Sequence, residues 1–384
     1  MSIYLDNAAT SFPKPEAVYI AAERALRETG ANPGRGGHQP ALAAARLIFE
    51  SREAVARLFD IGDAARIAFT ASATEALNTA LFGVLRPGDR VVTSSMEHNA
   101  VTRPLRALQE RGVEVVKVAA DGRGLLDPEA LRRACRAAPT RLVVLSHCSN
   151  VTGSRQPIEE IAPWCRREGI LFLLDAAQSA GLMPIHPEAL GIDLLAAPGH
   201  KGLLAPPGTG FLYVRPGLEL TPLIYGGTGG NSQSELPPEE MPERLEAGTQ
   251  NTPGLAGLKA AAELLLQHGL AAIQARESAL LARLLSGLEQ LPGVELYGSR
   301  DPRSHGGALS FNLDGRDPSE VGYLLDHQHG IFCRTGLHCA PDAHRTIGTF
   351  PRGTVRVSPG FFTTVEEIDL FLAAVAEVAA HPLS

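Results

Sequence analysis

At 384 residues the chain can bury a large core and divide into two domains, and 44% hydrophobic with 20% charged residues is the make-up of an ordinary globular protein. A formal net charge of −7 gives no footing for nucleic acid, and no apolar run reaches the length of a membrane span. The first residues lack a basic stretch followed by an apolar one, and the five cysteines form an odd set without a CxxC pair, so reduced thiols and a cytoplasmic location are expected.

From residue 64 to 215, short apolar runs alternate with helical stretches. Strands are predicted at 66–69, 90–93, 113–118, 141–145, 170–174, 192–196 and 210–214, with helices near 74–85, 99–111, 127–137 and 157–168. Alternation of this kind, with continuous apolar strands, implies an α/β fold whose seven-stranded, mostly parallel sheet is covered on both faces. Ligands in such folds gather at the carboxyl ends of the strands. Residues 222–250, rich in Gly, Pro, Ser and Glu, read as an irregular excursion. Their glycine string Gly226-Gly227-Thr228-Gly229-Gly230 precedes no helical pattern, which rules out a dinucleotide fingerprint. One long helical region, 253–291, leads to strands near 293–298, 308–313 and 354–358 and helices near 317–328 and 364–380, the pattern of a smaller α+β domain. The expected division is an N-terminal segment (1–20) packing with the small domain, a large domain (21–250), and a linking helix with the small domain (251–384).

The chain has four lysines beside thirty-one arginines, and one of them, Lys201, ends the run Pro198-Gly199-His200-Lys201 after a strand. Lysine can shed its proton when buried and attack a carbonyl, which guanidinium cannot do. Asp175 closes the preceding strand. An amine and a carboxylate at neighbouring strand ends suit pyridoxal 5'-phosphate (PLP), whose aldehyde needs the one and whose ring nitrogen needs the other. A solvated loop lysine and a helix-capping aspartate are the plain alternative. In Ala71-Ser72-Ala73-Thr74-Glu75, backbone N–H groups and the Thr74 hydroxyl could meet a phosphate or simply cap a helix. His98, in Glu97-His98-Asn99, could lie flat on a planar ring or be structural. Asn150, in Ser149-Asn150-Val151-Thr152-Gly153, offers an amide to a ligand or belongs to a polar turn.

Arg334-Thr335-Gly336-Leu337-His338-Cys339-Ala340-Pro341 places a cysteine in a loop between Gly and Pro, where His338 and Arg334 would favour the thiolate. A small buried hydrophobe is the other reading of any cysteine, and Cys135, Cys148, Cys165 and Cys333 are assigned to that class. His338, Cys339, Asp342 and His344 are zinc-ligand types, but their spacing matches no standard zinc pattern, and no metal is expected. Arg356, within an apolar strand, calls for an anion: a substrate carboxylate or a structural ion pair.

In their order, these motifs make the chain similar to the class V (fold type I) aminotransferase superfamily and, within it, to the cysteine desulfurases. The likeness runs from Tyr4-Leu5-Asp6-Asn7-Ala8-Ala9-Thr10 to Arg356, and the loop from Arg334 to Cys339 resembles the active-cysteine loop of the SUF-type (group II) branch. The resemblance implies that Lys201 carries PLP, that Asp175 meets its ring nitrogen and Gln178 its phenolic oxygen, and that His98 stacks on the ring. It implies that Thr74 and His200 hold the phosphate, with Thr249 reaching the phosphate of a partner subunit in a homodimer. Asn150 and Arg356, with Arg334 nearby, would bind the substrate carboxylate. The implied reaction turns L-cysteine into L-alanine, with Lys201 as proton-removing base and Cys339 taking the sulfur as a persulfide for an acceptor protein in iron-sulfur or other sulfur-transfer pathways. L-selenocysteine is an alternative substrate in that branch. Another class V aminotransferase or lyase, which would not need Cys339, and a non-catalytic PLP-binding scaffold are the rival readings. Two positions depart from the family pattern: Pro198 stands where Ser or Thr is usual, and Leu337 replaces the first of two histidines before the cysteine.

Overall fold

The computed structural model describes residues 2–34, 36–229 and 233–380; Gly230, the last of the glycine string, lies outside them. The short strand β1 (Ile3–Tyr4) is followed by β2 (Ile67–Thr70), β3 (Arg90–Ser94), β4 (Glu114–Val118), β5 (Leu142–Ser146), β6 (Leu171–Asp175), β7 (Leu194–Pro198) and β8 (Gly210–Val214). The strands β2 to β8 form one sheet in the order β2-β8-β7-β6-β5-β3-β4, with only β8 running against its neighbours. All seven predicted apolar runs therefore become strands of the expected sheet.

Side chains of successive strand residues point to opposite faces, and each face here has its own core. Val143, Leu145, Phe172 and Leu174 join one cluster, shared with the helices Gln39–Phe59 and Ile158–Glu168. Leu142, Val144, Leu171 and Leu173 join the other, shared with Ala73–Val84 and Asn99–Glu110. That is why these strands read as unbroken apolar runs rather than as alternating ones. The spatial order reverses between β3 and β5, which opens a crevice at the carboxyl ends.

A second sheet contains β9 (Val294–Tyr297), β10 (Leu309–Leu313), β12 (Arg334–Gly336) and β13 (Thr354–Val357), in the antiparallel order β12-β13-β10-β9. Its core includes Leu284, Phe311, Val321, Val355 and Phe371. Between β10 and β12 the two-residue β11 (Ile331–Phe332) pairs in parallel with β1, and Leu5 joins the same core. The single helical region expected over 253–291 is two helices, Thr252–His268 and Leu270–Glu289. Gly269 separates them at φ 79°, a left-handed conformation that a right-handed helix cannot absorb and that glycine adopts at least cost. Among the described residues no helix is long and apolar enough to cross a membrane.

Candidate active site

The carboxyl ends of β3, β5, β6 and β7 converge on a cavity of about 220 Å³ whose walls include Thr74, His98, Asn150, Asp175, Gln178, His200 and Lys201, with Arg334 and Arg356 from the small sheet. Nine residues singled out in the sequence thus meet at one place. Thr249 and Cys339 do not: both are exposed, and neither is among the residues that line this cavity. Pro198, the last residue of β7, forms part of the wall.

Lys201 follows β7 in a turn held from the N-terminal segment. The His200 carbonyl accepts from Ser11 N (2.9 Å), the Thr10 hydroxyl (3.1 Å) and Lys14 Nζ (2.8 Å), while the Ser11 hydroxyl donates to the Lys201 carbonyl at 2.9 Å. The backbone of the lysine is therefore fixed while its Nζ has no hydrogen-bond partner among the described residues. Burial pushes the Lys201 amine down to about 8, against the pull of Asp175. Asp175 is itself buried, which raises its carboxyl, and the Ala177 N–H at 2.9 Å and the charge of Lys201 oppose that rise. An amine that exchanges protons near neutrality, beside a buried carboxyl, can serve as nucleophile and as base.

Thr74 sits in the first turn of the helix Ala73–Val84, where Ser72 caps the Glu75 N–H at 3.2 Å. The Ala73 and Thr74 N–H groups have no partner among the described residues, and with the Thr74 hydroxyl they leave an anion-binding corner at the positive end of the helix. His98 caps the helix Asn99–Glu110 by accepting the Ala100 N–H on Nδ1 at 3.0 Å. Burial, then the charges of Lys201 and Arg334, push it down to about 4, so its ring is neutral and of one tautomer. Burial likewise lowers His200 to about 4. Gln178 donates to the Ala8 carbonyl at 3.0 Å.

Arg334 and Arg356 are partners across β12 and β13, so two guanidinium groups share one side of the cavity. Arg356 donates to Asp6 at 2.6 Å and to the Asn150 carbonyl at 2.9 Å, while its buried Nε has no partner. Among the described residues Arg334 has no carboxylate partner; its Nη2 lies 3.7 Å from the exposed Cys339 sulfur. The Asn150 amide donates to the His338 carbonyl at 2.5 Å, and Asn99 N donates to the Cys339 carbonyl at 2.8 Å, so the loop is clamped from β5 and from a helix start. His338 and Cys339 both have positive φ, 48° and 60°, a strained pair for residues bearing Cβ atoms. The expectation that His338 supplies positive charge to the thiol is corrected. Its ring is buried with Nε2 3.1 Å from the Thr354 hydroxyl, and burial lowers it well below its ordinary value, so it is a neutral anchor of the loop. Asp342 turns to Lys117 and Arg345, and the described residues contain no cluster of three or more metal-ligand side chains.

Four positions around the site escaped the sequence reading. Ser11 and Lys14 lie in a stretch with no periodic pattern, and only contacts across the fold reveal what they hold. Asp6, the partner of Arg356, is 350 residues away in sequence. Glu97 stands in a quoted motif, yet nothing local marks it as fully buried.

The aminotransferase class-V family profile matches residues 3–371, and the chain belongs to that family. Within the family its relatives include a protein of Methanothermobacter thermautotrophicus named "Probable cysteine desulfurase", 39% identical over 98% of this chain and 94% of that one. Among solved structures, the apo cysteine desulfurase of Thermococcus onnurineus NA1 superimposes with a TM-score of 0.91 at 33% identity, covering 98% of this chain and 94% of that one. The cysteine desulfurase CsdA of Escherichia coli gives a TM-score of 0.86 at 29% identity over the same shares. PLP is the cofactor of this family, and the cavity fits it. An unpartnered buried amine, a buried carboxyl, a neutral imidazole and an open helix start lie around one space, matching the aldehyde, ring nitrogen, ring face and phosphate.

Proposed function

We propose that this chain is a PLP-dependent cysteine desulfurase that converts L-cysteine to L-alanine and keeps the sulfur as a persulfide on Cys339. The observation that carries the reading is the pairing, at one cavity, of an unpartnered Lys201 amine beside Asp175 with a Cys339 sulfur against Arg334 on the rim. Bound PLP supplies an aldehyde that condenses with amines and a pyridinium that draws electrons from the substrate α-carbon. Lys201 would hold the cofactor, and its amine would serve as the base for the α-proton. Asp175 would hold the proton of the ring nitrogen, Gln178 would meet the phenolic oxygen, and His98 would face the ring. Thr74, His200 and the helix start hold the phosphate, a task in which Pro198 supplies no hydroxyl.

Arg334, the free Nε of Arg356 and Asn150 receive the substrate carboxylate, a role supported by two neighbouring guanidinium groups of which only Arg356 has a carboxylate partner, Asp6. The Cys339 thiolate attacks the substrate sulfur. As the S–S bond forms, the Cβ–S bond breaks and its electron pair returns to the three-carbon fragment, which takes up protons and leaves as alanine. Exposure of Cys339 supports hand-off to an acceptor protein, and the same geometry would admit L-selenocysteine. A homodimer is supported by the exposed Tyr19, Ile20, Leu42 and Phe49 on the first two helices and by the position of Thr249, which would serve the partner's cavity. Reduced cysteines throughout suit the cytoplasm. The pairing of β1 with β11 supports a segment, residues 1–20, that packs with the small domain, beside a large domain over 21–250 and a linking helix with the small domain over 251–384.

The test incubates the protein with L-cysteine and a reductant and measures sulfide and alanine together. Equal yields are expected, with Lys201→Ala losing both and Cys339→Ala losing both while still binding cysteine at the cofactor. A keto acid as product, with Cys339→Ala fully active, would point to another class V reaction instead.

A further inference from the structure

Behind Asp175 lies a second carboxyl. Glu97 follows β3, is fully buried, and meets serines only: Ser94 Oγ is 2.5 Å from Oε1, while Ser146 N and Oγ approach Oε2 at 2.9 and 2.8 Å. Ser146 ends β5 directly opposite Asp175, the end of β6, and its hydroxyl works to lower that carboxyl against the rise from burial. One serine hydroxyl is thus flanked by two buried carboxyls. Two such groups ionised together repel at short range in a poorly screened interior, so a single charge is favoured. Asp175 from β6 is the charged group that bears on Glu97, Lys201 from the turn after β7 bears on Asp175, and His98 beside Glu97 is neutral. The cation thus favours the charge on Asp175, and burial pushes Glu97 up to about 7.

We propose that Glu97 is a positioning residue that carries a proton, takes the Ser146 N–H, and leaves the Ser146 hydroxyl to Asp175, so that Asp175 meets the cofactor's ring nitrogen as a fixed carboxylate. With the proton on Oε2, Glu97 donates to the Ser146 hydroxyl oxygen at 2.8 Å and accepts from the Ser94 hydroxyl on Oε1, so the hydrogen of the Ser146 hydroxyl is free for Asp175. The inference rests on PLP binding in this cavity and extends it to a residue that does not touch the cofactor.

Three variants, Glu97→Gln, Glu97→Ala and Ser146→Ala, test it in the PLP-loaded protein. The readouts are the pH midpoint of the cofactor's visible absorbance and the PLP dissociation constant of the apoprotein. Glutamine copies a protonated carboxyl, so Glu97→Gln keeps both at wild-type values. Ser146→Ala and Glu97→Ala move the absorbance midpoint up by about one pH unit and weaken PLP binding about tenfold, because Asp175 loses its donor or the donor loses its orientation. A Glu97→Gln protein that shifts as far as Glu97→Ala overturns the proposal, since a charge would then be required. Wild-type behaviour in Ser146→Ala overturns it as well and does not depend on how well the Glu97→Ala protein folds. If wild-type apoprotein takes up no PLP, the cofactor reading fails and this one falls with it.

Discussion

Glu277 shows how a single side chain can carry a pH dependence. It projects from the helix Leu270–Glu289 into a small cavity behind Lys201, fully buried, with an unpartnered Oε1. Burial pushes its carboxyl from the ordinary 4.5 up to about 7. The folded protein therefore holds a proton that the unfolded chain releases between these values. The stability tied to that proton is full below pH 4.5 and lost as pH rises through 7. Glu277→Gln should remove this loss, so its thermal midpoint relative to wild type should be higher at pH 8 than at pH 5, by the equivalent of about 1–3 kcal/mol. An equal difference at both pH values would count against it. At Cys339, replacement by serine keeps the shape of the loop but cannot form a sulfur–sulfur bond, so sulfide release from L-cysteine should fall at least ~100-fold with unchanged thermal midpoint. The meeting of Lys201 and Asp175 could be read from sequence because each follows an apolar run of the strand–helix alternation, and the two runs are neighbouring strands. The neutrality of His338 could not, since it follows from burial against Thr354 on another strand.

At the level of elements, the strand pattern was legible because each central strand is apolar on both faces. The reversed direction of β8 was not, since burial makes the same demand of a strand whichever way it runs. The two-residue β1 and β11 are too short for any period to show. The helices Glu16–Glu28 and Gln39–Phe59 lie outside the strand–helix alternation and gain their place by packing on Thr252–His268. The turn after β6 meets the turn after β7 backbone to backbone. Gly181 has φ 84°, and a Cβ there would sit 2.2 Å from the Gly202 carbonyl oxygen, next to Lys201. Gly181→Ala should cost ~2 kcal/mol or more in urea unfolding and weaken PLP binding at least ~10-fold, because relief of the clash displaces the lysine turn. A variant with normal PLP affinity would show that the two turns are not mechanically joined.

Across the whole molecule, the exposed apolar residues of the first two helices and the distant Thr249 make an association prediction. Light scattering should give twice the 40.7 kDa of one chain, and Leu42→Asp with Phe49→Asp should halve that mass and lower PLP retention. A wild-type protein of single-chain mass that holds PLP would sink the idea. The same long-range logic shapes the order in which the molecule is completed. Thr10, Ser11 and Lys14 grip the lysine turn, while Asp6 and Asn7 reach Arg356 and Ser358 near the other end of the chain. During synthesis Asp6 and Asn7 must wait for residues about 350 positions later to emerge before they settle. A growing chain cannot assemble a finished reaction centre before that distant stretch has been made, and closing so long a loop makes the docking a slow event in maturation.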